Sequence, residues 1–219
     1  DVELFVQTST SEVYGNSQFI PITEKHPLNA QSPYAATKIA ADQLALSFQA
    51  SFELPVTVIR PFNTFGPRQS QRAVIPTILN QMASGATKLR LGNLETKRDF
   101  TFVSDTAAGI AAAVNCKNNI AGEVINLGCG VEFSIGTIAK NAMNIFSRQV
   151  EIITADERIR PAKSEVMRLL SDNRKAKQLL DWSPEFCTEE KLREALKLTA
   201  DWFQQEKNSN LYADNQYVV

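Results

Sequence analysis

The sequence lacks any uninterrupted apolar stretch near the roughly 18 residues that a membrane-spanning helix requires, so no helical membrane span and no membrane partner is expected. It lacks a basic surplus. Its 23 Lys and Arg stand against 24 Asp and Glu with one His, a formal net charge of −1. A general nucleic-acid binder needs cations to displace phosphate counterions, so that class is excluded. Cysteine is scarce and has no paired spacing: Cys116, Cys129 and Cys187 are an odd three. That argues against a disulfide framework or a zinc site, and no metal is expected; reduced thiols in a cytoplasmic protein are the simpler reading. The segment Asp1-Val2-Glu3-Leu4-Phe5 carries neither the basic leader nor the apolar core of a signal peptide. With 43% hydrophobic and 21% charged residues the chain is too apolar to be disordered. Its 219 residues suffice for one large domain or two small ones with a real core.

Read along its length, the sequence opens on Leu4-Phe5-Val6, which reads as a buried strand and runs straight into the small polar cluster Thr8 to Ser11. A chain end is ordinarily polar and frayed, so residues preceding Asp1 are expected to be missing. A turn-rich stretch covers 15–32. Ser32-Pro33 then opens an alanine-rich helix over 33–52, with Ser as the capping acceptor and Pro at the first helical position. Val56, Val58 and Ile59 form the next buried strand, which completes one strand–helix–strand crossover of a parallel sheet. The pattern further predicts a loop over 61–73, a helix over 74–84 and short strands over 88–92 and 100–103. A helix capped by Ser104 or Asp105 follows, reaching about Cys116. Next come a core strand over 123–127 and a helix from Ser134 with Ile135, Ile138, Ala142 and Ile145 on its apolar face. The last helix covers 188–207, with Glu189 and Glu190 in its first turn, and 208–219 reads as a loose tail.

The residues that point to chemistry are Tyr34-x-x-x-Lys38 in the long helix and Thr10-Ser11-Glu12 at the end of the first strand. Side chains four apart share a helical face. A phenol ionises near pH 10, too high for a base at neutral pH, but an adjacent ammonium favours the phenolate. Such a pair can take a proton from an alcohol while hydride leaves its carbon, and a Ser or Thr hydroxyl at a strand end can donate to the same oxygen. Tyr and Lys four apart also occur by chance on many surface helices, so the pair alone is a weak signal.

Its company is more telling. Ser9-Thr10-Ser11-Glu12-Val13-Tyr14-Gly15 and Ser32-Pro33-Tyr34-Ala35-Ala36-Thr37-Lys38 are followed by a run from Arg60-Pro61-Phe62-Asn63 to Gly66-Pro67-Arg68. Arg98-Asp99-Phe100 with Val103-x-Asp105 comes next, then Asn126-Leu127-Gly128. In this order they resemble the extended short-chain dehydrogenase/reductases, the NAD-dependent nucleotide-sugar epimerases, dehydratases and decarboxylases. The resemblance implies an α/β fold: the C-terminal part of a doubly wound, Rossmann-like parallel sheet over 1–66 and 98–128, and a smaller mixed α/β substrate domain over 67–97 and 129–207. It implies NAD as cofactor, a nucleotide-diphosphate sugar as partner, and a homodimer when complete. Family members hold the dinucleotide phosphates on a Gly-x-x-Gly-x-x-Gly turn. With 9 glycines, no segment here supplies that turn; the family pattern places it on the order of 100 residues before Thr10.

By the same resemblance Thr10, Tyr34 and Lys38 are catalytic, with Ser9, Tyr34, Lys38, Pro61 and Phe62 at the cofactor. Asn63, Arg98 and Arg160 would contact the nucleotide diphosphate, and Ala73, Val74, Leu89 and Leu91 would shape the base pocket. Thr10-Ser11-Glu12 is similar to the GDP-mannose dehydratases, and the stretch from Arg60 to Pro76 to UDP-N-acetylhexosamine 4,6-dehydratases of legionaminic-type pathways. Glu12, with Ser11, would then serve proton removal at C5 and loss of water from C6. A 4,6-dehydratase is favoured over a 4-epimerase or a UDP-glucuronate decarboxylase, and a catalytically silent binding relative is the alternative of another class. Blander readings make Glu12 a solvated turn carboxylate, pair Arg98 with Asp99 or Asp105, and leave Arg160 a solvated loop charge. His26 reads as a surface loop residue, and Trp182 and Trp202 as core anchors.

Overall fold

The computed structural model describes residues 2–116, 118–155, 158, 161 and 164–205. Arg160 and the 208–219 tail therefore lie outside the described residues. The molecule is α/β, as expected. Its central sheet has the order β1 (Phe5–Thr8), β2 (Val56–Pro61), β7 (Val124–Leu127), all parallel, with Phe5 opposite Val56 and Val58 opposite Val124. Helix α1 (Pro33–Phe52) makes the crossover between β1 and β2. The Ser32 hydroxyl accepts from the Ala35 amide at 3.1 Å, and Glu53 ends the helix in the left-handed region at φ 55°.

β2 is buried almost throughout, the signature of a parallel strand covered on both faces. Among the described residues β1 is an edge strand of this sheet, and Phe5 is 45% exposed there.

Several of the remaining elements build a second layer beside this sheet. α2 (Val74–Ala83), α4 (Ile135–Ile145) and α6 (Glu189–Gln204) pack one apolar cluster with β4 (Lys88–Leu91), which pairs in parallel with β9 (Glu151–Thr154). Ser134 caps α4 by accepting from Thr137, and Thr188 caps α6 by accepting from Lys191. Inside the predicted loop 61–73, Asn63–Phe65 forms β3, parallel to β6 (Phe100–Phe102). Two-residue strands β5 (Lys97–Arg98), β8 (Phe133–Ser134) and β10 (Arg168–Leu169) join into a small sheet, and Arg174–Leu180 forms α5. Pieces so short are below the length at which periodicity can be read. Among the described residues no helix is long and apolar enough to cross a membrane, and no group of His, Cys, Asp and Glu could hold a metal ion.

Two assignments change. Helix α3 (Val103–Val114) starts after Phe102 without a side-chain cap, so neither Ser104 nor Asp105 caps it. Asp105 is instead buried: its carboxylate accepts from the Phe186 amide at 2.9 Å and its carbonyl from Trp182 Nε1 at 3.0 Å. Trp182 is thus the core anchor expected, and Trp202 packs against the helical cluster. His26 is not a surface residue. It is buried against Tyr14 and Phe19, with Nε2 accepting from the Gln18 amide at 2.9 Å and Nδ1 donating to the Pro27 carbonyl at 2.8 Å.

Candidate active site

The loop after β1 turns into one turn of 3-10 helix, Ser11–Tyr14, capped by Thr10 in an extended conformation. Thr10 Oγ1 accepts from the Glu12 amide at 3.2 Å, which leaves the hydroxyl proton available to another acceptor. One turn into α1, Tyr34 is 50% exposed. Lys38 Nζ stands 6.0 Å from the Tyr34 ring centroid and donates to the Thr8 carbonyl at 3.0 Å. The helical spacing thus brings phenol and ammonium to the same end of β1, the carboxyl end, where open α/β sheets take their ligands.

Beside them opens a cavity of about 1120 Å³ whose walls include Glu12, Tyr34, Asn63, Ala73, Val74, Leu91 and Arg98. Of the residues expected at a substrate these seven are brought together from separate segments. Leu89 is not among them: it faces the same side of β4 as Leu91, and both are buried in the helical cluster, but only Leu91 also lines the cavity. Ser11 is buried away from the walls, and Phe62 is buried beside Tyr14 with ring centroids 6.4 Å apart. The Ser9 hydroxyl donates to Asp42 at 2.8 Å, so its side chain is already committed. Pro61, Thr10 and Lys38 also lie outside the walls of this cavity.

Among the described ion pairs Arg98 is joined to Glu165, Nη2 to Oε1 at 3.8 Å, and not to Asp99 or Asp105. Its Nη1 donates to the carbonyl of Lys97 at 2.9 Å. The neighbouring Asp99 is fully buried. Its carboxylate accepts from the amides of Cys129, Gly130 and Ser171 at 2.7, 2.9 and 3.1 Å, and from the Ser171 hydroxyl at 2.5 Å. Burial pushes this carboxyl above the usual carboxylate range, and these donors pull it only part of the way back. A Cβ on Gly128 would meet Ser171 Oγ at 2.3 Å, so only glycine lets the β7 end approach this carboxylate closely enough.

The cavity also gathers residues that sequence reasoning passed over: Gln31, Gln69, Arg72, Arg158 and Glu165. Three arginines and two glutamates thus line it, Arg98 and Glu165 paired with each other, a balance suited to an anionic ligand. The Asn63 Oδ1 is buried and has no hydrogen-bond partner among the described residues.

A partly exposed Tyr34 lining an arginine-bearing cavity, with Lys38 beside it at the carboxyl end of a parallel sheet, is the arrangement that the resemblance to nucleotide-sugar epimerases and dehydratases implies. The chain belongs to the GDP-mannose 4,6 dehydratase family, whose description matches residues 2–195. It is 33% identical to the low-salt glycan biosynthesis protein Agl12 of Haloferax volcanii over 193 residues, 88% of this chain and 60% of that protein. Its fold superposes on UDP-glucuronic acid 4-epimerase from Bacillus cereus, solved with UDP-glucuronic acid and NAD. The TM-score is 0.85 and the identity 29%, over 94% of this chain and 62% of that one. The dTDP-glucose 4,6-dehydratase of Bacillus anthracis str. Ames, solved with NAD, gives 0.79 and 28%, over 92% and 62%. The chain spans about 60% of the length of these relatives.

Proposed function

We propose that the natural protein bearing this chain is an NAD-dependent nucleotide-sugar 4,6-dehydratase. The observation that carries this reading is that Glu12 and Tyr34 are walls of one cavity. A 4-epimerase moves hydride out and back at C4 and needs no second base. A dehydratase needs a carboxylate beside the oxidising group, and Glu12 supplies it.

The residues present fit the nicotinamide end of the cofactor: the half-exposed Tyr34 and the Lys38 ammonium stand at the open end of β1. No glycine-rich turn among 1–219 fits its pyrophosphate, so this chain by itself is expected to bind NAD weakly and to be inactive. Bound NAD would accept hydride from the sugar C4 and return it at C6. Tyr34, beside the Lys38 charge, takes the proton of the C4 hydroxyl, and the free Thr10 hydroxyl donates to that oxygen. The resulting ketone acidifies the C5 proton, which Glu12 removes. Glu12 then passes that proton to the departing C6 hydroxyl, which leaves as water, a role supported by Ser11 lying buried outside the cavity. As hydride reaches C6, C5 recovers a proton, and release of the one taken up by Tyr34 balances it. Arg98 and Asn63 hold the diphosphate, with Ala73, Val74 and Leu91 against the base. Residues 1–66 and 98–128 form the cofactor half, 67–97 and 129–207 the substrate half, and the working unit is a homodimer.

The test is to supply the natural protein with nucleotide sugars and follow product mass. A loss of about 18 mass units, that of water, supports dehydration. A loss of about 44, that of carbon dioxide, would replace this reading with decarboxylation, and an unchanged mass with epimerisation.

A further inference from the structure

Asp42 lies eight residues after Tyr34 and four after Lys38, so all three stand on one face of α1. It is completely buried, and its Oδ2 collects three donors: Arg60 Nε at 3.1 Å, Arg60 Nη2 at 3.0 Å and Ser9 Oγ at 2.8 Å. Arg60, equally buried in β2, sends Nη1 to Tyr14 Oη at 3.0 Å, and its guanidinium lies 5.0 Å from the Tyr14 ring centroid. Tyr14 Oη donates in turn to Asn126 Oδ1 at 2.7 Å in β7, and Asn126 Nδ2 reaches the Ile22 carbonyl at 3.1 Å. Burial raises the Tyr14 hydroxyl above its ordinary pKa, which keeps the proton that it donates to Asn126 Oδ1.

The network touches each element that carries a group of the proposed chemistry. Asp42 is on the helix of Tyr34 and Lys38, Ser9 immediately precedes Thr10, and Tyr14 closes the turn that holds Glu12. A buried ion pair is a poor device for stability alone, because desolvation offsets most of its attraction and apolar residues of similar volume do as well or better. Its bonds are directional, however, and they set distances that an apolar contact would let slide.

We propose that Asp42 and Arg60 are positioning residues that fix the Tyr34–Lys38 helix face relative to Thr10 and Glu12. This rests on the function proposed above for those four residues. A misplacement of about 1 Å at reacting groups can cost on the order of 10²-fold in rate, so loss of the pair acts on turnover, not on nucleotide-sugar binding, which other segments provide.

The decisive variant is Asp42→Leu with Arg60→Met in the natural protein, which removes both charges and leaves neither ion unpaired. Melting temperature, nucleotide-sugar affinity by calorimetry, and kcat and KM are measured. The expected result is a melting temperature and affinity close to wild type, with kcat lowered on the order of 10²-fold. Wild-type kcat in this folded variant overturns the proposal. If the double variant does not fold, Tyr14→Phe cuts the network between Arg60 and Asn126 with a smaller change. A fall in kcat at constant KM supports the proposal, and an unchanged kcat overturns it. Tyr34→Phe runs alongside: an undiminished rate there removes the underlying reading and this inference with it, whereas a dead Tyr34→Phe beside an active double variant removes this inference alone.

Discussion

The Lys38 ammonium lies 3.0 Å from the Thr8 carbonyl oxygen, a bond that ties the long helix to the strand end from which Thr10 springs. It holds the charge near Tyr34 at the mouth of the sheet. Lys38→Met is therefore expected to lower the rate of sugar oxidation on the order of 10²–10⁴-fold, the range for a general-base group. Cofactor reduction at 340 nm in the natural protein is the readout. A variant within a few-fold of wild type would remove Lys38 from the chemistry.

Glu12→Gln separates oxidation from elimination. The amide keeps the shape of the side chain and cannot take the C5 proton. Reduced cofactor should still form while release of the dehydrated product falls by roughly 10²-fold or more. Release at the wild-type rate would sink the dehydratase reading.

Asp99→Asn tests the buried carboxylate that joins β5, the β7 end and the Ser171 loop. An amide nitrogen in place of either carboxylate oxygen would face backbone N–H donors. Leaving such donors unpaired costs about 1–3 kcal/mol each. Denaturant unfolding should show a loss of about 2–4 kcal/mol, and a variant as stable as wild type would show that the amides find other partners.

Asp172 responds to acid with a definite sign. The Arg174 side chain beside it holds its carboxyl below the usual carboxylate range. The folded state therefore binds this proton less readily than the unfolded chain does. Its contribution to stability is present above the usual carboxylate range and is lost as pH falls through the depressed value. Arg174→Gln should lower the melting temperature at pH 7, and the difference from wild type should shrink by pH 2–3. Asp99 runs the other way: its raised value makes its contribution decline as pH climbs out of the usual carboxylate range.

Thiol labelling probes the core beneath the site. Cys129 is buried, and burial next to Asp99 pushes its thiol far above the ordinary value. Cys116 and Cys187 are partly exposed. A thiol reagent at pH 8 should label those two in the folded protein and reach Cys129 only on unfolding, since the thiolate is the reactive form. Rapid labelling of all three would contradict the packing around Cys129.

Much of this was legible before any coordinates. Ser32-Pro33 and the alanine run locate α1 to the residue, because capping chemistry and composition agree locally. Tyr34 and Lys38 are one turn apart whatever surrounds them. What could not be read is whatever depends on distant partners. Asp105 has the composition of a cap, yet the approach of Phe186 and Trp182 claims it for the core. His26 sits in a polar loop sequence and is enclosed by Tyr14 and Phe19. Leu89 and Leu91 are alike in pattern and both buried in the helical cluster, and only the third dimension makes one of them a cavity wall as well. Glu165 reaches Arg98 across 67 positions, a separation no local pattern encodes.

The cavity draws Glu12 and Tyr34 from one end of the chain, and Asn63, Val74, Leu91 and Arg98 from its middle. The groups proposed to move protons and the walls proposed to judge a ligand's shape are thus written in different stretches. A chimera exchanging 69–93 with a relative would trade a wall and leave Tyr34, Lys38 and Glu12 in place. Such an arrangement would let ligand preference drift by local edits while the three proposed reactive residues are inherited unaltered.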